Sequence, residues 1–264
     1  MRIAEDGFRH IRDDEMKVIY HERYREVYSG DPAAKQGRIE SIYDELADDY
    51  EFAQPSPATE ADLQIVHTQG HIDSIKKLDL FGNALLAVGG AIQASQLAFE
   101  GEPSFGLIRP PGHHASPNSC WGFCFFNNIA ISLEKLRMDR KIAEALIVDF
   151  DLHYGDGTDN AFASIPQVSY HHLPGGDRGR QLEELSDYLD TRKDYDILAV
   201  SAGFDRHVAD WGGTLTTEDY REIGRMIKEA AERICGGRRY AVLEGGYNHQ
   251  VLGKNVKAFL EGLT

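Results

Sequence analysis

Four short apolar runs in this chain each lead into residues suited to chemistry rather than to packing. Phe105-Gly106-Leu107-Ile108 leads to His113-His114, and Ala145-Leu146-Ile147-Val148 leads to Asp149-Phe150-Asp151-Leu152-His153. The run from Asp196 to Val200 leads to Ala202-Gly203-Phe204-Asp205, and Tyr240-Ala241-Val242-Leu243 leads to Glu244-Gly245-Gly246-Tyr247. Runs that are apolar throughout, rather than alternating, suit strands covered on both faces. Parallel strands need long crossovers, and segments with helical spacing or composition lie at 37–50, 83–99, 128–138, 217–234 and 249–263. The alternation predicts one three-layer α/β/α domain with a mainly parallel, doubly wound sheet. Ligands bind such sheets beyond the carboxyl ends of the strands, so the four polar motifs are expected to converge.

At 264 residues, with 42% hydrophobic residues, the chain can bury one large core. No apolar run is long enough to span a bilayer and the N-terminus has no apolar signal core, so a soluble cytoplasmic protein is expected. Residues 1–15 are polar and read as a peripheral extension, with the catalytic domain at 16–264. The formal net charge of -15 argues against nucleic-acid binding, which needs basic patches. It suits a solvated acidic surface, or steering of a cationic substrate such as a lysine-rich peptide or a polyamine. The three cysteines form no C-x-x-C pair and predict no disulfide framework.

Asp151 and His153 are two apart, so on an extended strand their side chains share one side. A carboxylate and an imidazole so placed are natural ligands for a divalent transition metal, and Asp205 at another strand end is the third. His113 and His114 are adjacent, which suits acid-base work better than joint ligation. Asp149 and Asp156 are the candidate carboxylate partners. Tyr247 follows two glycines that permit close backbone approach, and its hydroxyl is placed to meet a developing oxyanion. Of the aromatics at 123–126, Phe123 is assigned to the site and Phe125 and Phe126 to the core. His171 reads as structural, and His67, His71, His207 and His249 as ordinary histidines.

Together these motifs resemble the zinc-dependent histone deacetylase family, in the class II and prokaryotic branch of the arginase-deacetylase fold. The ordered set is R-P-P-G-H-H at 109–114, G-F-C-F-F-N-N at 122–128, D-F-D-L-H-Y-G-D-G at 149–157, A-G-F-D at 202–205 and L-E-G-G-Y at 243–247. The resemblance implies zinc (Zn2+, with Fe2+ as the alternative) at Asp151, His153 and Asp205. It pairs His113 with Asp149 and His114 with Asp156, with His114 as the principal base and acid. Tyr247 polarises the acyl carbonyl. Phe123, with Gly122 and Gly245, binds substrate, which is an acetylated lysine peptide or another acetylated amine. A structural potassium ion (K+) is implied at Asp149, Asp151, His153, Ser169 and Tyr170.

The chain departs from that family at the rim. Leu173-Pro174-Gly175-Gly176-Asp177 stands where P-G-T-G is usual, and Tyr154 replaces a second histidine. The second aromatic wall therefore has no evident counterpart, and a shallower, more open pocket is expected. The competing readings are an acetylpolyamine amidohydrolase, a two-manganese ureohydrolase and a catalytically dead acyl-binding module.

Overall fold

A computed structural model describes residues 16–264; the predicted extension at 1–15 lies outside the described residues. The apolar runs become the sheet. Its strands are β1 (Lys17–Ile19), β2 (Glu51–Ala53), β3 (Ser104–Gly106), β4 (Ala145–Asp149), β5 (Val168–His172), β6 (Ile197–Ala202) and β7 (Arg239–Leu243). They pair in the order β2-β1-β3-β7-β6-β4-β5, every pair parallel. Every residue of β3, β4, β6 and β7 is buried, whereas the edge strands β2 and β5 are mostly half-buried or exposed. Unbroken apolarity therefore marks the sheet centre.

Nine helices connect the described strands: α1 (Arg38–Leu46), α2 (Glu60–Leu63), α3 (Gln69–Ile75), α4 (Phe81–Phe99), α5 (Asn128–Met138), α6 (Asp156–Phe162), α7 (Arg178–Asp190), α8 (Thr217–Cys235) and α9 (His249–Leu263). α1, α7, α8 and α9 pack as one group, and α4, α5 and α6 as another. The predicted α8 forms because Ile223, Ile227, Ala230, Ala231 and Ile234 make one buried stripe. Each fully buried isoleucine contributes roughly 1.5–3 kcal/mol. Asp219 secures the start of α8 by accepting from both the N–H and the hydroxyl of Thr216, and Gly236, in the left-handed region, stops it. Among the described residues no helix is long and apolar enough to cross a membrane.

The sequence reading missed β2, α2, α3, α6 and α7. Only Gln181, Leu185 and Leu189 of α7 are buried, a stripe too thin to stand out among its charges. α6 hides in a Gly-Asp-rich stretch that reads as loop.

One row of the sheet positions the site. Gly106 pairs with Val242, Val242 with Ser201, and Ser201 with Asp149. The four loops carrying the polar motifs thus leave adjacent strands at the same level.

Candidate active site

Asp151, His153 and Asp205 form the floor. His153 Nδ1 lies 3.2 Å from Asp151 Oδ1 and 3.0 Å from Asp205 Oδ2. Both carboxylates are buried, and Asp205 Oδ2 makes no hydrogen bond of good geometry. An unpaired buried carboxylate oxygen is costly. Burial and the Asp151 charge push the Asp205 carboxyl up to about 6, so a cation is what would let both acids stay ionised. One oxygen from each acid and one imidazole nitrogen, all within 4.8 Å of one another, fit a divalent metal. The loops close tightly here: a Cβ on Gly203 or Gly245 would lie 2.1 or 2.5 Å from Asp151 Oδ2. Glycine is required at both positions, and the Gly245 N–H donates to that oxygen at 2.7 Å.

Two His–Asp pairs stand beside this floor. His113 Nδ1 is 3.1 Å from Asp149 Oδ2, and His114 Nδ1 is 2.8 Å from Asp156 Oδ1. Asp149 ends β4, while Asp156 opens α6. Burial opposes charge on His113, but Asp151, Asp149 and Glu244 outweigh it and hold the imidazole well above its ordinary range. Burial and the neighbouring His113 instead lower His114 to about 4, against the raising effect of Asp156. A neutral His114 that donates from Nδ1 to Asp156 keeps the Nε2 lone pair free.

Tyr247 enters from the β7 loop. Its N–H donates to Asp210 Oδ2 at 2.7 Å, and its ring stacks on Trp211 with centroids 4.0 Å apart. Burial and the Asp151 and Asp205 charges push its hydroxyl above the usual phenol range, which keeps it a donor. His113, His114, His153, Gly122, Phe123, Gly245 and Tyr247 all line one cavity of about 130 Å³. Gly122 packs on His114, and Phe123 holds a left-handed φ of 61°, an uncommon conformation for a bulky residue.

Sequence reasoning missed four contributors. Trp121 and Trp211 also line the cavity and are 53% and 57% exposed. They supply aromatic wall where the expected second wall is missing. Trp121 also stacks on His114, with ring centroids 3.6 Å apart, and donates its indole N–H to Asp156. Glu244 is buried and accepts from the N–H groups of Gly112 and His113, which fixes the His-His loop. His67, read as ordinary, ties down the far part of that loop. Its Nδ1 donates to the Ser116 carbonyl and its Nε2 accepts from the Asn127 N–H. The signal for Glu244 was its place inside a quoted motif, and for Trp121 its place directly before one; His67 lies far from any motif.

The residues named for a monovalent cation meet other partners. Both Nε and Nη2 of Arg206 point at the Asp151 carbonyl, at 3.1 and 3.0 Å. Asp149 accepts from the Asp151 N–H on one oxygen and from the Tyr170 hydroxyl on the other. The Ser169 hydroxyl pairs with that of Tyr195 at 2.8 Å. His171, away from this centre, stacks on Tyr188.

The histone deacetylase domain family matches residues 78–175 and 190–263. Histone deacetylase 14, chloroplastic, of Arabidopsis thaliana is 31% identical over 84% of this chain and 63% of its own length. A probable deacetylase of Archaeoglobus fulgidus is 30% identical over 88% of this chain and 81% of its own. The chain thus spans less than two thirds of the plant relative but most of the archaeal one. A histone deacetylase-like amidohydrolase of Pseudomonas aeruginosa is 28% identical over 73% of this chain and 65% of its own. The crystal structure of the HDA15 HD domain superposes with a TM-score of 0.82 at 23% identity, covering 94% of this chain and 89% of that one. That likeness shows the α/β fold. The chain belongs to the histone deacetylase family.

Proposed function

We propose that this protein is a zinc-dependent deacetylase that removes acetyl groups from acetylated lysine or related N-acetylated amines. One observation carries the reading: two His–Asp pairs, an Asp-His-Asp ligand set and a tyrosine line or adjoin a single small cavity. Zinc held by Asp151, His153 and Asp205 would polarise the amide carbonyl and lower the pKa of water to about 7. The residues do the rest. His114 accepts the proton of the attacking water at Nε2, while Asp156 holds its tautomer through Nδ1. His113, held charged by the surrounding carboxylates, adds positive potential next to the reacting carbonyl. The Tyr247 hydroxyl donates to the oxyanion of the tetrahedral intermediate. His114 then returns its proton to the leaving amine, giving acetate and free amine.

The net charge of -15 and the exposed indoles at the rim support a cationic amine as the substrate's far end. Three free cysteines suit a reducing, cytoplasmic setting. The test is metal content together with acetate release from an acetyl-lysine peptide and from acetylputrescine, on zinc-loaded protein. We expect one catalytic zinc per chain, turnover of at least one of the two substrates, and a loss of about 10²–10³ in kcat for Tyr247→Phe. Full activity of Tyr247→Phe would remove the assigned oxyanion donor. Two metals per site with turnover of a guanidino substrate would favour a ureohydrolase.

A further inference from the structure

Arg206 follows the proposed ligand Asp205 directly, and its side chain is 1% exposed. Its guanidinium has no carboxylate in hydrogen-bond contact. Instead Nε donates to the carbonyls of Phe150 and Asp151, and Nη2 to those of Asp151 and Leu173. Nη1 donates to the Pro174 carbonyl at 2.9 Å and to Gln181 Oε1 at 3.2 Å, and Nη2 lies 3.3 Å from His172 Nε2. Every nitrogen of Arg206 is engaged, in contrast to the buried Arg38 and Arg109, each of which leaves one nitrogen without a partner. The charge answers the nearby acids Asp151, Asp205 and Asp149 through space. One side chain therefore ties the backbone under one ligand, Asp151, to the loop after β5, while its own backbone neighbour is another ligand.

A carbonyl oxygen has two lone pairs. At Asp151 the oxygen already accepts from Nε and Nη2 of Arg206, at 3.1 and 3.0 Å, so a potassium ion that used this oxygen would sit against a guanidinium. Like charges so close in a buried site repel strongly. We propose that Arg206 is the cation built in behind the metal ligands, standing in this chain where a monovalent ion was expected. It is a positioning residue: it holds the Phe150–Asp151 backbone and offsets the negative charge of three buried carboxylates. A covalently attached cation does this without depending on the ionic composition of the medium.

The proposal rests on the deacetylase reading only for the metal-ligand role of Asp151 and Asp205. Its test reads zinc affinity and thermal stability rather than acetate release, so an inactive but metal-binding protein would refute one reading and leave the other standing. The full chain, zinc-loaded, is melted in potassium, sodium and tetramethylammonium chloride at equal ionic strength. Zinc affinity is measured by chelator competition in the same salts. We expect the same melting temperature and the same affinity in all three. A saturable gain specific to potassium in either quantity overturns the proposal. Arg206→Met is expected to weaken zinc binding by about 10- to 100-fold, as loss of an outer partner does, and Arg206→Lys to restore part of it. Wild-type zinc affinity in a folded Arg206→Met also overturns it. Should both variants fail to fold, the wild-type salt comparison decides alone.

Discussion

The two His–Asp pairs use the same residue types at nearly the same hydrogen-bond distance, yet their surroundings push the two imidazoles in opposite directions. In the inner pair, His113–Asp149, the side chains are 4% and 0% exposed; in the outer pair, His114–Asp156, they are 5% and 39%. The inner carboxylate also serves the Tyr170 hydroxyl and the Asp151 N–H. The outer one shares only the Trp121 indole. Buried carboxylates raise His113, and the resulting charge helps to lower His114 to about 4. The lesson is that a His–Asp pair has no fixed role. Its neighbours decide whether it stores a charge or stands ready to accept a proton.

The sharpest way to break this comparison is to remove each histidine. His114→Ala is expected to lower kcat by about 10²–10⁴ with an unchanged melting temperature, and His113→Ala to cost less in rate but more in stability. Equal rate losses, measured on the same acetylated peptide, would erase the division of labour. Removing the carboxylates comes next. Asp149→Asn leaves a buried network broken and should cost about 3 kcal/mol of stability by denaturant unfolding. Asp156→Asn, half open to water, should cost under about 1 kcal/mol. Similar values for the two would show that burial does not separate them.

The pH profile sharpens the same contrast. In the proposed mechanism His114 acts as a base only when neutral, so kcat/KM is expected to fall as pH falls through its pKa. That pKa is lowered, so the acid limb lies below the ordinary histidine value of about 6.5, towards about 4. An acid limb above the ordinary value would contradict the assignment. The smallest effect is expected at Trp121. Trp121→Phe keeps a ring over His114 but loses the N–H to Asp156, a change of about 0.5–1.5 kcal/mol, or roughly 2- to 10-fold in kcat. In an Asp156→Asn background the same substitution should add almost nothing.

The floor of the site was legible from sequence because its information is local. Asp151 and His153 sit two apart directly after an unbroken apolar strand, and Asp205 and Tyr247 follow two others. Register alone then brings them level. Arg206, Trp121, Trp211 and Glu244 were not legible as partners. Arg206 bonds to residues 25–56 positions away, and Trp121 to one 35 positions away. No periodicity marks such contacts. The rim shows the same limit: the missing P-G-T-G stretch led to an expectation of a more open pocket, and nothing in it announced that Trp121 and Trp211 line the cavity.

The sequence by itself determined the parallel sheet, its buried centre and the strand ends that carry the residues proposed for metal binding and acid-base work. Those follow from apolar runs and helical stripes, which are properties of neighbouring residues. Only the tertiary structure decided which histidine is held charged, how deeply each His–Asp pair is buried and where the Arg206 charge lies. Those depend on burial and on distances between residues remote in the chain, and electrostatic energy in a poorly hydrated interior changes steeply with both.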